Sequence, residues 1–133
     1  MKKLLSLAVI IVMVFSFGAS AFAEAGTFAL GSAIRTSSLV ISGTTATCTS
    51  TYKDDSGSTT KIVITQTLEK DGFLWTWETI GGTRTKTVNG STATLTGKVS
   101  NLESGTYRVK TVFEVTADGE TETITVYSAE KEI

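Results

Sequence analysis

The sequence has 133 residues, with 12 lysines and arginines against 13 aspartates and glutamates, one cysteine, no histidine and no proline. The absence of histidine excludes the serine and cysteine triads and the histidine-containing metal sites that most hydrolases use. The balanced charge gives no electrostatic reason to expect nucleic acid or an anionic membrane as a partner. The lone cysteine, Cys48, excludes an internal disulfide.

Residues 1–23 have the features of an export signal peptide. Lys2 and Lys3 form the positive start, residues 4–17 form an apolar run, and residues 21–23, Ala-Phe-Ala, form a small-x-small cleavage site. A cut two residues earlier is the alternative. The apolar run is shorter than the roughly 20 residues that span a bilayer, and no second run follows. We therefore expect a secreted, extracellular protein without stable membrane insertion.

Cleavage at that site would define the exported chain. It would leave 110 of the 133 residues, and the loss of Lys2 and Lys3 would leave 10 basic against 13 acidic residues, a net charge of −3. No cysteine stands near the cleavage site, which argues against a lipid anchor. Residues 24–36 carry few apolar anchors, so we expect a loose lead-in or a short edge strand there. Residues 37–133 then form a single domain.

The domain begins with predicted strands over residues 37–42 and 44–53, separated by Gly43. In the second strand Cys48 shares a face with apolar neighbours, and we interpret it as a small buried hydrophobe. The alternatives are an intermolecular disulfide or a reactive thiol. Residues 54–58, Asp-Asp-Ser-Gly-Ser, offer oxygen ligands but lack the spacing of a calcium loop. We therefore predict a turn there, and neither a metal site nor a cofactor.

A third predicted strand, residues 60–70, is followed by Asp71-Gly72, a two-residue hairpin signal. The signal predicts a fourth strand over residues 73–77, with three aromatic side chains on one face: Phe73, Trp75 and Trp77. Exposed, these rings would form a flat platform for sugar rings or for a protein. Buried, they would belong to the core, and alternation by itself favours burial. This is the one stretch where the sequence offers a ligand-binding site.

Further glycine-containing pairs divide the C-terminal half. Turns are predicted at Gly81-Gly82, Asn89-Gly90 and Asp118-Gly119, and the strands between them over residues 83–88, 91–99, 105–116 and 120–129. About seven to eight short strands without helical periodicity predict an all-β fold, an antiparallel β-sandwich or a barrel, and we expect the β-sandwich. Because proline is absent, we expect the sheet edges to be protected by charge or twist.

The strand over residues 105–116 has the clearest alternation, with apolar residues at every second position from Tyr107 to Val115 and only Thr111 interrupting. Residues 102–109, Leu-Glu-Ser-Gly-Thr-Tyr-Arg-Val, resemble the corner before strand F of immunoglobulin-like domains. That resemblance implies a bond from the tyrosine hydroxyl back to the backbone. It also places Cys48 at the strand B cysteine, with Val109 where the partner cysteine would stand.

The chain as a whole resembles a group of small exported proteins of Gram-positive bacteria that have no assigned activity. The resemblance rests on residues 46–48, on residues 62–70 followed by Trp75, and on residues 105–109. It implies an exported immunoglobulin-like β-sandwich and supplies no catalytic residues.

Two further patterns suggest chemistry. Glu114 could meet Glu120 or Glu122 across the hairpin closed by Asp118-Gly119, and paired carboxylates hydrolyse glycosides. A small two-layer domain rarely has the cleft this needs, so we predict no enzyme. Threonine pairs of the form T-x-T resemble ice-binding surfaces but lack a fixed period, and β-propensity on a solvent face explains them better; they are Thr47 and Thr49, Thr83 and Thr85, Thr92 and Thr94, and Thr123 and Thr125.

The first functional hypothesis is a non-catalytic binding module for a carbohydrate or a protein, and it predicts an exposed Trp75 or Trp77. The alternative is a small secreted effector, antibacterial or host-directed, that acts by assembly or by membrane contact. An enzyme is the third hypothesis, and it would require a cleft with converging carboxylates.

Overall fold

The computed structural model describes residues 33–133. The predicted signal peptide and most of the lead-in lie outside these residues. The described elements are β1 (Ile34–Ser42), β2 (Thr45–Lys53), β3 (Thr59–Asp71), a single turn (Phe73–Trp75), β4 (Trp77–Val88), β5 (Thr92–Val99), β6 (Thr106–Ala117), β7 (Glu120–Tyr127) and β8 (Lys131–Glu132). The first strand thus begins at Ile34, inside the predicted lead-in. Over the same residues, no helix is long and apolar enough to cross a bilayer.

The strands form two antiparallel sheets that face each other. One has the order β1-β2-β5 and the other the order β4-β3-β6-β7, with β8 paired to the start of β6. This confirms the predicted antiparallel β-sandwich. β2 lies in one sheet and β3 and β6 lie side by side in the other, as strands B, C and F do in immunoglobulin-like domains.

The predicted tyrosine corner is confirmed at the start of β6. The Tyr107 hydroxyl donates to the backbone carbonyl of Glu103, at 2.7 Å. The Tyr107 ring is buried beside Val109, Leu68 and Cys48 in one of two hydrophobic clusters. The corner therefore ties the loop before β6 to the core.

Only one of the three glycine-containing pairs singled out in the C-terminal half closes a hairpin. Asp118 and Gly119 have φ of 52° and 78° and join β6 to β7 as predicted. Gly81-Gly82 instead lies inside β4, where a bulge shifts the register opposite Thr67 and Leu68. The two glycines have positive φ, 74° and 79°, a conformation that a bulge can require as well as a turn. The predicted turn there is therefore wrong, and β4 is one strand.

Asn89-Gly90 does not close a hairpin either. It joins β4 in one sheet to β5 in the other. The amide of Asp54 donates to the Ser91 carbonyl at 2.9 Å and holds this crossing in place. Local turn chemistry is the same for a hairpin and a crossing of this length, which is why the sequence pattern did not separate them.

Cys48 is fully buried and unbonded, which confirms its interpretation as a small core residue. Burial raises the pKa of its thiol, and the opposing effect of the Arg84 charge is smaller. The thiol is therefore neither accessible for an intermolecular disulfide nor activated as a nucleophile.

Charge protects the open edge of β5, as expected for sheets without proline. Arg84 and Lys86 point from β4 toward the other sheet. Arg84 Nη2 donates to the Lys98 carbonyl at 2.7 Å, and Lys86 Nζ donates to the Thr94 carbonyl at 2.9 Å. Gly97 leaves room for the arginine, since a Cβ there would lie 2.5 Å from Arg84 Nε. The two side chains occupy carbonyls that a foreign strand would need.

Candidate functional site

Three consecutive apolar side chains project into solvent where β3 turns into β4. Phe73, Leu74 and Trp75 are 80%, 69% and 68% exposed, and we call them the aromatic tip. Single exposed apolar residues are ordinary on a protein surface, whereas a contiguous group of large ones marks an interaction site. The aromatic tip is therefore the candidate functional site.

The backbone of the aromatic tip is held by its own hydrogen bonds. The Phe73 carbonyl accepts from the Thr76 amide at 3.3 Å and from Thr76 Oγ1 at 2.6 Å, and the Gly72 amide donates to the Thr76 carbonyl at 2.7 Å. Asp71 pairs with Trp77 directly below. The turn is thus fixed to the end of a regular ladder.

The two central residues of this turn adopt a left-handed conformation. Leu74 has φ of 54° and Trp75 has φ of 66°. With the bond from Thr76 to Phe73, this is the pattern of a type I′ turn, whose central positions favour Asn and Gly. Large apolar residues are strained there, at a cost of about 1–2 kcal/mol each. Two turn positions therefore carry bulky apolar side chains at the expense of stability.

The predicted strand over residues 73–77 is wrong, and so is the predicted turn at Asp71-Gly72. β3 continues to Asp71, and the reversal is made by Leu74 and Trp75. Phe73 and Trp75 therefore do not share a strand face with Trp77, and no flat platform forms. Alternation had favoured burial of this stretch, and for Phe73 and Trp75 the structure contradicts that. Alternation also places Leu74 on the opposite face of the predicted strand, whereas the structure exposes it between Phe73 and Trp75.

Trp77 has a structural role that explains where the turn forms. Its half-buried ring lies on the outer face of the second sheet with the Arg108 guanidinium stacked 3.9 Å from its centre, and Arg108 also stacks 4.2 Å from the ring centre of Tyr127. Arg108 Nε donates to Glu69 Oε1 at 2.9 Å. This stack holds Trp77 at the start of β4. Because Trp77 pairs with Asp71, the reversal must lie between these two residues, and it is centred on Leu74 and Trp75.

The region behind the aromatic tip carries more acidic than basic charge. Asp71 and Glu78 lie on the two arms of the hairpin. Glu103, 88% exposed, forms an ion pair with Lys70 at 3.7 Å, and Lys70 is paired across the hairpin with Glu78. With Glu69 and Arg108 included, four carboxylates stand against two cations. The aromatic tip is thus an apolar end with a collar of acidic character, consisting of Glu69, Asp71, Glu78 and Glu103 with Lys70 and Arg108.

The carboxylates considered for catalysis do not converge. Glu114 pairs with Thr123 and points outward, whereas Glu122 pairs with the buried Val115 and Glu120 with the buried Ala117. Alternation along β6 and β7 puts Glu114 on the opposite face of the sheet from the other two. A reacting group on either face would meet only one member of the proposed pair.

The predicted turn at residues 54–58 is confirmed, and one carboxylate organises it. Asp54 Oδ1 accepts from the amide and hydroxyl of Ser56 at 2.9 and 2.6 Å, and Oδ2 accepts from the amide and hydroxyl of Thr59 at 3.0 and 2.8 Å. Burial acts to raise the pKa of Asp54, but these hydrogen bonds together outweigh it and lower the pKa. Both carboxylate oxygens are therefore engaged within the turn.

The rest of the described surface offers weaker candidates for a functional site. The threonines of the T-x-T pairs lie on the outer faces of both sheets, as expected of β-propensity on solvent faces. Within residues 33–133 no group of three or more Cys, Asp or Glu side chains is placed to hold a metal ion.

Comparison with protein-family models and with curated proteins gives no match.

Proposed function

We propose that this protein is a non-catalytic exported binding module that contacts its ligand through the aromatic tip. One observation carries the proposal: two residues that a type I′ turn disfavours, Leu74 and Trp75, stand at its centre and expose their side chains. Strain of this kind persists at ligand contacts, where selection for binding opposes selection for stability.

The expected flat sugar platform receives no support from this geometry. A sugar site combines an aromatic ring with directed polar groups. At the aromatic tip the neighbouring hydroxyl, Thr76 Oγ1, is bound to the Phe73 carbonyl. A partner that accepts a convex apolar end fits better, and the membrane contact considered for an effector would give the binding module such a partner.

A photo-crosslinking residue in place of Leu74 tests whether the aromatic tip is the contact. The matched control carries the same group in place of Val40, which is 62% exposed on the outer face of β1. Both proteins are offered peptidoglycan, chitin, extracellular proteins and lipid vesicles. Adducts from position 74 that disappear when Phe73 and Trp75 are replaced by serine support the proposal. Equal adducts from both positions, or none from position 74, contradict it.

A further inference from the structure

We infer that the ligand of the aromatic tip is the surface of a lipid bilayer rich in phosphatidylcholine, an inference that rests on the proposed function. Trp75 and Phe73 are of the type that occupies the membrane interface, where an aromatic ring lies at headgroup level. Leu74 stands between them and supplies an aliphatic side chain for the acyl boundary.

The chemistry of the aromatic tip favours lipid over a folded protein. A folded protein that binds a convex apolar end must offer a matching pocket, whereas a bilayer interface accepts such an end without one. Among the three side chains of the aromatic tip, the indole N–H of Trp75 is the only hydrogen-bonding group. The Phe73 carbonyl, which would otherwise need water, already accepts two bonds from Thr76. Insertion into a bilayer interface requires apolar side chains and a backbone whose hydrogen bonds are made within the protein, and the aromatic tip has both.

The acidic collar selects the headgroup. The four carboxylates of the collar against its two cations, Lys70 and Arg108, leave an excess of negative charge behind the aromatic tip. This excess repels phosphatidylglycerol and other anionic headgroups within about a Debye length. A choline headgroup carries its quaternary ammonium outermost, where carboxylates attract it and aromatic faces bind it. Charge complementarity therefore points to a choline-bearing lipid.

The collar also limits how deeply the aromatic tip enters. Asp71 precedes Phe73 by two residues, and Glu78 follows Trp75 by three. Charged side chains at these positions stay in the aqueous headgroup region, so that only the three residues of the aromatic tip enter. Such contact is peripheral and reversible, which agrees with an exported chain that makes no stable insertion.

Vesicle co-sedimentation tests the inference, using protein expressed from the full chain and recovered from the culture medium. The probes are vesicles of phosphatidylcholine alone and of phosphatidylglycerol alone. We expect sedimentation with phosphatidylcholine and, at low salt, weaker sedimentation with phosphatidylglycerol. Replacing Phe73 by serine, Leu74 by asparagine and Trp75 by glycine should weaken partition by about tenfold or more. Val40→Ser, the matched control, should leave partition unchanged.

Trp75 fluorescence gives a second readout in a Trp77→Phe background, where the ring that stacks on Arg108 is kept. Its emission should shift to the blue on addition of phosphatidylcholine vesicles. No sedimentation with phosphatidylcholine, equal partition of the variant with all three replacements, or a preference for phosphatidylglycerol would overturn the inference. If vesicles fail but the crosslinker at position 74 captures a defined protein or polysaccharide, the lipid inference falls and the binding module stands.

Discussion

Gln66 on β3 lies directly opposite Thr111 on β6, and both side chains are fully buried between the sheets. They are the two residues that interrupt the apolar alternation of their strands. The facing sheet places Ser37 opposite Ser50 at the same level. Each interruption of the pattern is therefore matched by polar residues across the core.

The four side chains form one directed chain of hydrogen bonds. Gln66 Nε2 donates to Ser50 Oγ at 2.9 Å, the Ser50 and Thr111 hydroxyls are bonded at 2.7 Å, Thr111 Oγ1 donates to Ser37 Oγ at 2.8 Å, and Ser37 Oγ donates to the Val109 carbonyl at 3.2 Å. The chain crosses between the two hydrophobic clusters and links both sheets. It fixes their relative position by contacts that a one-residue slip would break.

Thr111→Val should lower the free energy of unfolding by about 1–3 kcal/mol, because an isosteric apolar side chain removes the acceptor of the buried Ser50 hydroxyl and the donor to Ser37 Oγ. Denaturant unfolding of the purified protein measures this. The control, Thr125→Val, changes an exposed threonine on the adjacent strand and should stay within about 0.5 kcal/mol. Equal effects of the two substitutions would contradict a role for the buried chain.

Tyr107→Phe should cost about 1 kcal/mol, because it removes the hydroxyl that donates to the Glu103 carbonyl while the buried ring stays. The denaturation midpoint should fall with no change in the dependence on denaturant concentration. Tyr127→Phe is the matched control, since the ring of Tyr127 stacks on Arg108 at the surface. An unchanged midpoint for Tyr107→Phe would show that the corner bond contributes nothing.

The strands and the core were predictable because they depend on local alternation. Buried and outward residues alternate along β6 from Tyr107 to Ala117, and the tyrosine corner followed from residues 102–109. Chemistry within a few residues decides such features.

The aromatic tip and the bulge in β4 depend on contacts that local chemistry does not contain. Gly81-Gly82 supplies positive φ for either a turn or a bulge, and pairing with β3 decides between them. The turn lies at Leu74 and Trp75 because Asp71 pairs with Trp77, which in turn stacks on Arg108, 31 positions further along the chain. The sequence therefore identified the segment and two of its exposed residues, but not its shape.

Arg84→Met together with Lys86→Met should promote self-association, because the Lys98 and Thr94 carbonyls on β5 then become free to pair with a strand of another molecule. Sedimentation velocity over a range of concentrations should show a larger fraction of dimers or higher species for the double variant than for the unaltered protein. Lys61→Met, which removes a cation from an exposed position of β3, is the control for the loss of charge. A monomeric double variant would rule out edge protection by these side chains.

Asp54 should make stability depend on pH in the acid range. Because its pKa is lower in the folded protein than in the unfolded chain, the ionised carboxylate stabilises the fold fully above the unfolded value of about 4. That contribution is lost as the pH falls through the lower, folded pKa. Asp54→Asn should therefore be less stable than the unaltered protein at pH 7, and the difference should shrink on acidification. The control Asp55→Asn, at an exposed position, should change neither the stability at pH 7 nor its dependence on pH. A stability difference between Asp54→Asn and the unaltered protein that stays constant with pH would refute the role of the Asp54 carboxylate.

Replacing Leu74 by asparagine and Trp75 by glycine should stabilise the protein while weakening binding by the aromatic tip. The two residues have φ of 54° and 66°, where asparagine and glycine are relaxed and bulky apolar residues are not. We expect a gain of about 1–3 kcal/mol in the free energy of unfolding, measured by denaturation. Gly119→Ala is the converse control, because Gly119 has φ of 78° in the hairpin between β6 and β7, and it should lose about 1 kcal/mol.

The sign of the change in the free energy of unfolding distinguishes a turn kept for binding from a turn kept for stability. If Leu74 and Trp75 were kept for packing, removing both would lower stability, as large-to-small substitutions do. Their side chains are about two-thirds exposed, at 69% and 68%, so little packing is lost. A stabilised variant that no longer partitions into phosphatidylcholine vesicles means that these two residues are retained for binding at the expense of the fold. A destabilised variant means that the turn is part of the architecture, and the strain argument for the aromatic tip then fails.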